Sequence, residues 1–222
     1  DFNMMCDRLK ELDELKEDFI SHVSHELRTP LTVIREASGL LMEGAVIDNL
    51  GNREELLTIV KDECERLIVS VNRILDLSRM EAKMMEYHFS RTSLVHLLQK
   101  CILKLAPIAQ RKHIALELTP LPTLPDIWLD AERIGQLLEN LFGNALKYTD
   151  EGGSVSVDVS LKDRDTRVIE VAVSDTGCGI YKNDLEKIFT KFKRIESGKK
   201  IARGTGLGLS IAKHIIRAHG GK

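Results

Sequence analysis

Three polar side chains share one face of a predicted helix. Asn140, Asn144 and Lys147 stand at i, i+4 and i+7, and apolar residues cover the other side of the same segment. Amide oxygens are hard ligands that suit Mg²⁺, and a lysine suits phosphate oxygens. The pattern therefore predicts a site for a metal-bound phosphate, with a solvated polar face as the alternative.

A glycine-containing turn follows a predicted strand at residues 174–180. Gly177 and Gly179 let the backbone turn sharply and approach a ligand closely. Asp175 can accept a hydrogen bond from an exocyclic amine, which adenine presents where guanine presents a carbonyl. The turn is interpreted as an adenine site, and a simple strand-ending turn is the alternative.

A second glycine-rich segment opens the last predicted helix. Gly204, Gly206 and Gly208 expose backbone N–H groups at a helix N-terminus, where they and the helix dipole favour phosphate. No Gly-Lys-Ser/Thr closes the segment, and its GxGxG spacing lacks a surrounding βαβ unit, so neither a Walker loop nor a dinucleotide fingerprint is present. Residues 180–204 carry eight Lys and Arg residues and are interpreted as a mobile lid or a solvated loop.

His25 lies in a long amphipathic helical pattern, on its polar side. On a helical wheel with Ile20 at 0° and about 100° per residue, Leu27 lies within about 60° of Ile20 and belongs to the apolar stripe. His25 lies about 140° from Ile20, outside the stripe. Glu26 is the next residue, and Thr29 follows one turn further on. A core histidine would lie in the stripe, so we expect His25 to face solvent.

The helix with His25 should run to about Met42, and a second helix should begin near Arg53, after a loop at residues 44–52. Pro30 should interrupt and bend the first helix. Two such helices form an antiparallel hairpin that buries too little alone, so we expect a homodimer with a four-helix bundle. The apolar stripe of the second helix comprises Leu57, Val60, Cys64, Leu67, Val71 and Ile74.

The remaining pattern mixes helices and strands without regular βαβ alternation, which favours an α+β sandwich. Helices are predicted at 93–110, 131–148 and 209–219, strands at 114–118, 154–161 and 168–174, and a proline-rich loop at 120–125. The predicted organisation is a lead-in segment at 1–19, a helical hairpin at 20–85, a linker at 86–92 and the α/β unit at 93–222. The lead-in is either a frayed helix or a coiled coil that joins an upstream sensor.

Composition excludes several classes of function. The chain has 222 residues and a net charge of −2, so no strongly basic surface indicates nucleic acid binding. No apolar run approaches the ~18 residues that span a bilayer, and four scattered cysteines favour reduced thiols in the cytoplasm. The chain starts at Asp1, so we expect a cytoplasmic fragment of a longer protein, and a membrane anchor elsewhere in that protein is compatible with this.

In their order along the chain, these motifs resemble those of sensor histidine kinases of bacterial two-component systems. Residues 24–30 resemble the phosphoacceptor box. The polar helix face, the first glycine turn, the stretch with Phe189 and Phe192, and the second glycine segment resemble the N, G1, F and G2 boxes of the ATP-binding domain. That domain is shared with gyrase, Hsp90-type chaperones and MutL-type repair proteins. The resemblance runs from about residue 15 to the end. It implies an α+β fold with an N-terminal antiparallel hairpin, a four-helix bundle as a dimer, followed by an α/β-sandwich ATP-binding domain.

The resemblance also implies a role for each matching residue. His25 is the implied phosphoacceptor, Glu26 the general base, and Thr29 the residue that orients water when the phosphorylated partner is dephosphorylated. Asn140 and Asn144 are the implied Mg²⁺ ligands. The implied contacts to ATP are Asn140, Asn144, Lys147, Tyr148, Asp175, Gly177, Gly179, Arg194, Gly204, Thr205, Gly206, Leu207 and Gly208.

The implied activity is ATP-dependent autophosphorylation of His25, then transfer to an aspartate of a response regulator receiver domain, with phosphatase activity toward that regulator. A nucleotide-gated scaffold or a phosphatase-biased sensor is the alternative. An ATP-driven clamp is a third class, but clamps lack the acceptor box. His22 precedes His25 by one turn, yet its spacing does not match the box. Because the family continues with a further strand after Lys222, we expect the C-terminal end to be truncated.

Overall fold

The computed structural model describes residues 2–43, 50–119, 124–163, 168–191 and 206–222. The chain divides into two compact units. One comprises Asp1–Met84 with Gly204–Leu207, and the other comprises Met85–Arg203 with Gly208–Lys222. Within the described ranges, no helix is both long enough and apolar enough to cross a membrane.

The first unit is a hairpin of two long helices, α1 (Phe2–Met42) and α2 (Leu50–Glu81), which pack against each other. This confirms the predicted hairpin and the end of its first helix. The second helix begins earlier than predicted, because Gly51 and Asn52 are helical. Poor helix formers cost little there, since the N–H groups of a first turn have no helical partners.

Pro30 does not interrupt α1, so the expected interruption was wrong, while the expected bend stays a prediction. The α-helix is continuous through this residue, which is buried. Proline removes a single N–H donor from a helix of 41 residues. The long helical segments on both sides therefore maintain the helix across the missing hydrogen bond.

The second unit is an α+β sandwich, which confirms the predicted fold class. Its elements are β1 (Ser90–Thr92), α3 (Leu94–Arg111), β2 (Ala115–Leu118), β3 (Ile127–Leu129), α4 (Ala131–Tyr148), β4 (Ser154–Asp163), β5 (Val168–Asp175), the 3-10 turns Lys182–Asp184 and Lys187–Phe189, and α5 (Gly208–Ala218). The main sheet has the order β2-β4-β5, with β2 parallel and β5 antiparallel to β4. β1 and β3 form a separate antiparallel pair.

The core of this unit lies between the main sheet and the helices. Val155, Val157 and Val159 are buried on β4, because alternate residues of a strand face the same side. Phe142 of α4 and Ile211 of α5 are among the fully buried side chains. The core thus fixes α4 and α5, the two helices that carry most of the predicted site residues.

Two short strands were not predicted. β1 includes residues 90–92, the end of the predicted linker, and β3 follows the predicted proline-rich loop. Each strand has three residues, too few for an alternating pattern to be visible. Residues 120–123 of that loop lie outside the part of the chain that the structure describes.

Candidate functional site

In the first unit, the predicted acceptor residues lie within two turns of α1. His25 is exposed as expected, while Glu26 and Thr29 are half-buried. The Thr29 hydroxyl donates a hydrogen bond to the backbone oxygen of His25 at 3.1 Å. This bond uses the hydroxyl proton and leaves the oxygen able to accept. The side chain of His22 lies outside the described part of the chain.

In the second unit, α4 carries the predicted polar face. Asn140 is only 7% exposed, and Asn144 and Lys147 are half-buried. A solvated face would leave these side chains exposed, so their burial favours a lined site over that alternative. The Lys147 ammonium lies 4.9 Å from the centroid of the exposed Tyr148 ring.

The first residue of α5 lies against Asn140. A Cβ added at Gly208 would be 3.0 Å from Asn140 Oδ1, so glycine permits this close approach. Just before it, Gly206 has φ of +67° and Leu207 is buried. The structure therefore brings a predicted metal ligand next to the end of the predicted phosphate loop. Three other predicted contacts fall outside the described residues: Arg194, Gly204 and Thr205.

The turn that begins with Asp175 is held against the C-terminal end of α4. The Gly177 N–H donates to Asp175 Oδ1 at 2.9 Å. A Cβ at Gly177 would lie 2.5 Å from the backbone oxygen of Tyr148, so only glycine fits. Gly179 adopts φ of +68° in the left-handed region. The predicted adenine-reading carboxylate and Tyr148 are therefore brought together.

The described part of the predicted lid packs on α5. Residues 181–191 include both 3-10 turns, and the Lys213 ammonium of α5 lies 5.2 Å from the centroid of the Phe189 ring. Burial and the charge of Lys191 lower the pKa of His214 on the same helix. Residues 192–205, which complete the predicted lid, lie outside the described ranges.

Two residues that sequence reasoning missed fix the C-terminal end of α4. Lys112 Nζ donates to the backbone oxygen of Leu146 at 2.7 Å, and Thr149 Oγ1 donates to that of Ala145 at 2.7 Å. Both bonds reach carbonyls of the last helical turn. The Ala145 oxygen also accepts the backbone N–H of Thr149 at 3.0 Å. Nothing in their spacing along the sequence predicts the bond from Lys112, because it joins residues 34 apart.

Asp130 fixes the N-terminal end of α4 and was also missed. Its Oδ1 accepts from the Arg133 N–H at 3.0 Å, which is an N-cap bond. Burial raises the pKa of this carboxyl, but backbone N–H groups of Arg133, His88 and Glu132 and the Arg133 charge outweigh it and lower the pKa overall. An Asp directly before an apolar-periodic segment is a helix start signal that would have found this residue.

Two family models match the chain. The His Kinase A (phospho-acceptor) domain matches residues 15–83, and the histidine kinase-, DNA gyrase B- and HSP90-like ATPase matches residues 129–222. A phosphoacceptor hairpin followed by an ATPase domain of this type defines the catalytic core of a histidine kinase. The chain belongs to the sensor histidine kinases of two-component systems.

Relatives and solved structures agree with this assignment. The sensor histidine kinase WalK of Bacillus subtilis is 35% identical over 96% of this chain. The chain covers 34% of WalK, so it spans about a third of the length of that curated relative. Full-length ShkA, crystallised with AMPPNP, is 28% identical with a TM-score of 0.64 over 92% of this chain and 41% of ShkA. The histidine kinase ThkA in complex with the response regulator TrrA has the same fold, with 24% identity and a TM-score of 0.60 over 99% of this chain and 60% of ThkA.

Proposed function

We propose that this chain transfers the γ-phosphate of ATP to His25 and then to an aspartate of a response regulator receiver domain. The observation that carries the proposal is the combination of two sites in one chain. An exposed histidine followed by Glu26 stands on a phosphoacceptor-type hairpin, and Asn140 and Gly208 adjoin in an ATPase-type domain.

ATP would lie on the face formed by α4, the Asp175 turn and the start of α5. Asp175 would accept a hydrogen bond from the adenine amine, and Lys147 would contact phosphate oxygens. Backbone N–H groups at the start of α5 would add to the phosphate contacts. Arg194, Gly204 and Thr205 are proposed contacts on the strength of the family motif.

The residues present also fit Mg²⁺. Asn140 and Asn144 would hold the ion through their amide oxygens. Asn140 is buried, and its amide oxygen lies beside Gly208, where an added Cβ would be 3.0 Å away from it. When bound, the ion neutralises the charge of the triphosphate. Among the described residues, no group of three His, Cys, Asp or Glu side chains can hold a metal ion. Phosphate oxygens and water would therefore complete the coordination.

At the acceptor, a ring nitrogen of His25 attacks the γ-phosphorus, the bond to the bridging oxygen breaks, and ADP leaves. Neutral imidazole is the nucleophile because its nitrogen lone pair is free. Glu26 takes up the ring proton as general base. Thr29 would orient water during dephosphorylation of the regulator, because its hydroxyl oxygen can still accept a hydrogen bond.

Exposed apolar residues on the hairpin support a homodimer. Leu57, Ile68, Val71 and Leu75 lie on one stripe of α2, and all are exposed, with Ile68 at 58%. An exposed apolar stripe of this kind is what a four-helix bundle of two hairpins requires. Light scattering should give the mass of a dimer for the wild type and that of a monomer for Ile68→Glu. A monomeric wild type would contradict the dimer.

The proposed activity assigns a task to each part of the chain. Residues 1–19 would relay a signal, residues 20–85 would dimerise and carry His25, and residues 93–222 would bind ATP. Residues 86–92 would link the two functions, although all of them belong to the second unit. Four free cysteines fit a reducing compartment such as the cytoplasm.

Incubation with γ-labelled ATP and Mg²⁺ tests the proposal directly. We expect acid-labile label on the wild type and on His22→Ala, and none on His25→Ala. Labelled protein should then pass its phosphate to a receiver domain. If ATP binds but no variant is labelled, the kinase proposal fails and a nucleotide-gated scaffold or phosphatase-biased sensor replaces it.

A further inference from the structure

His219, directly after α5, makes a hydrogen bond through each of its ring nitrogens. Nδ1 lies 2.8 Å from the backbone oxygen of Ile215, and Nε2 lies 2.9 Å from the backbone nitrogen of Asp130. A carbonyl can only accept and a backbone N–H can only donate. The neutral ring with its proton on Nδ1 is therefore the form that makes both bonds.

Asp130 connects this histidine to the segment that precedes β1. Its N–H donates to His219, its Oδ1 caps α4, and its Oδ2 accepts from the backbone N–H of His88 at 2.7 Å. The Asp130 side chain is buried and all three bonds are partly buried, which reduces their competition with water. One residue thus joins the end of α5, the start of α4 and the backbone at residue 88.

The rings of Tyr87 and Phe89 flank the same histidine. The Tyr87 centroid lies 5.8 Å from that of His219 with the rings edge-on at 86°, and the Phe89 centroid lies 4.9 Å away at 51°. Aromatic rings attract one another in such arrangements. The 87–89 segment is therefore held by its two aromatic side chains and by its central backbone N–H.

These contacts lie far from the proposed nucleotide site. Asn140 follows Asp130 by ten residues along α4, and His219 follows Gly208 by eleven. At 1.5 Å per residue, each separation is about 15 Å along a helix. A change at His219 therefore removes none of the proposed nucleotide contacts.

We propose that His219 is a positioning residue that fixes the 87–89 segment on the ATP-binding domain and thereby sets the rate of phosphoryl transfer to His25. This inference rests on the proposed autophosphorylation. The segment is part of the chain between the hairpin that carries His25 and the domain that would bind ATP. Fixing the segment reduces the conformational freedom of the connection and so favours alignment of His25 with the γ-phosphate of ATP. Releasing the segment would lower the rate of phosphoryl transfer and leave the affinity for ATP unchanged.

Two substitutions separate the contacts that His219 makes. His219→Phe keeps an aromatic ring beside Tyr87 and Phe89 but removes both nitrogens, and His219→Gln supplies an amide oxygen that can replace Nε2 as acceptor. His96→Phe, at an exposed position of α3, is the matched control. Hydrogen exchange on the full chain measures how strongly the His88 amide is protected. Autophosphorylation at a series of ATP concentrations measures the maximal rate and the KM for ATP.

In His219→Phe we expect the His88 amide to exchange about tenfold faster, since the bond that holds Asp130, its acceptor, to His219 is lost. Exchange in the cores of α4 and β4 should stay unchanged. The maximal rate should fall about fivefold, with KM for ATP within about twofold of the wild type. His219→Gln should restore both readouts toward the wild type, and His96→Phe should alter neither.

Unchanged exchange at His88 in His219→Phe would overturn the proposal, and so would a parallel loss of rate and ATP affinity. If the wild-type chain does not autophosphorylate, the proposed function fails and the rate effect fails with it. Exchange at His88 would then still decide whether His219 holds the segment, so the two failures are distinguishable.

Discussion

The amide oxygen of Asn140 and the backbone of Gly208 are in close contact, since a Cβ at residue 208 would lie 3.0 Å from Oδ1 and 3.4 Å from Cγ of Asn140. The contact joins α4 to α5 where a predicted metal ligand meets the predicted phosphate loop. A larger side chain at 208 would require the Asn140 amide to shift by a few tenths of an ångström, so the present position of that amide depends on glycine at 208.

Gly208→Ala should weaken binding of ATP and Mg²⁺ by about tenfold, which is about 1.4 kcal/mol. The added methyl group pushes the Asn140 amide by a few tenths of an ångström, and metal ligation is sensitive to such shifts. Calorimetric titration with a non-hydrolysable ATP analogue measures the change. Wild-type affinity in this variant would show that Asn140 does not hold the metal.

Gly135→Ala is the matched control for this substitution. Gly135 lies on α4, the helix that carries Asn140, but nothing lies within 4 Å of a Cβ added there. The change should leave nucleotide affinity unaltered and raise the free energy of unfolding by about 0.5–1 kcal/mol, because alanine is the better helix former. A loss of affinity here would indicate that any added methyl group on α4 disturbs the site.

Gly177→Ala should be more damaging than Gly208→Ala. Its Cβ would lie 2.5 Å from the backbone oxygen of Tyr148, and backbone at the end of α4 cannot move aside as a side chain can. We expect the free energy of unfolding to fall by about 1–3 kcal/mol, together with nucleotide affinity. Urea unfolding and analogue titration measure the two effects, and full stability in this variant would contradict the proposed fit of the turn.

The sequence predicts what local patterns encode. The bounds of α4 are predicted correctly as 131–148, because the apolar spacing of this helix is regular and strong. β1 and β3 are missed because each has three residues and exists only through pairing with the other, from Ser90 with Leu129 to Thr92 with Ile127. Such pairing leaves no local signal.

The same limit applies to the site. Asn140, Asp175 and Gly208 are predicted site residues because their types suit nucleotide chemistry, and the structure places Asn140 beside Gly208. The bond between Asp130 and His219 joins residues 89 apart, so the neighbours of either residue in the sequence do not indicate that the two are partners. The structure adds the supports that hold the predicted residues in place.

The cysteines should react with iodoacetamide in an order set by burial. Burial, together with the charge of Glu139, raises the pKa of Cys101 to about 12 despite the opposing charge of Lys104, so almost no thiolate forms at pH 8. Cys178 is exposed in the Asp175 turn. Mass spectrometry of digested protein should find Cys178 alkylated early and Cys101 unmodified until urea unfolds the chain. Fast alkylation of native Cys101 would contradict its burial.

An ATP analogue should slow alkylation of Cys178, because this residue lies between the two glycines of the proposed adenine turn. The half-buried Cys64, in the helical hairpin, serves as the internal control and should react at the same rate with and without the analogue. Equal rates at Cys178 in both conditions would indicate that the nucleotide does not approach this turn.

Asp130 should make stability depend on pH in the acidic range. Its pKa is lowered in the folded chain, so it contributes stability that is fully present above its unfolded pKa of about 3.9. The contribution is lost as the pH falls through the lowered folded pKa. Asp130→Asn keeps one acceptor oxygen, but its amide NH₂ cannot accept from the His88 N–H, so one buried bond is lost.

Asp130→Asn should therefore lower the free energy of unfolding by about 1–3 kcal/mol at pH 7. Urea unfolding of both proteins at pH 7, 5, 4 and 3 gives the difference at each pH. The difference should be constant between pH 7 and 5 and should shrink below about pH 4, where only the wild type loses a charged acceptor. A difference that stays constant down to pH 3 would show that the hydrogen bonds do not depend on the charge of Asp130.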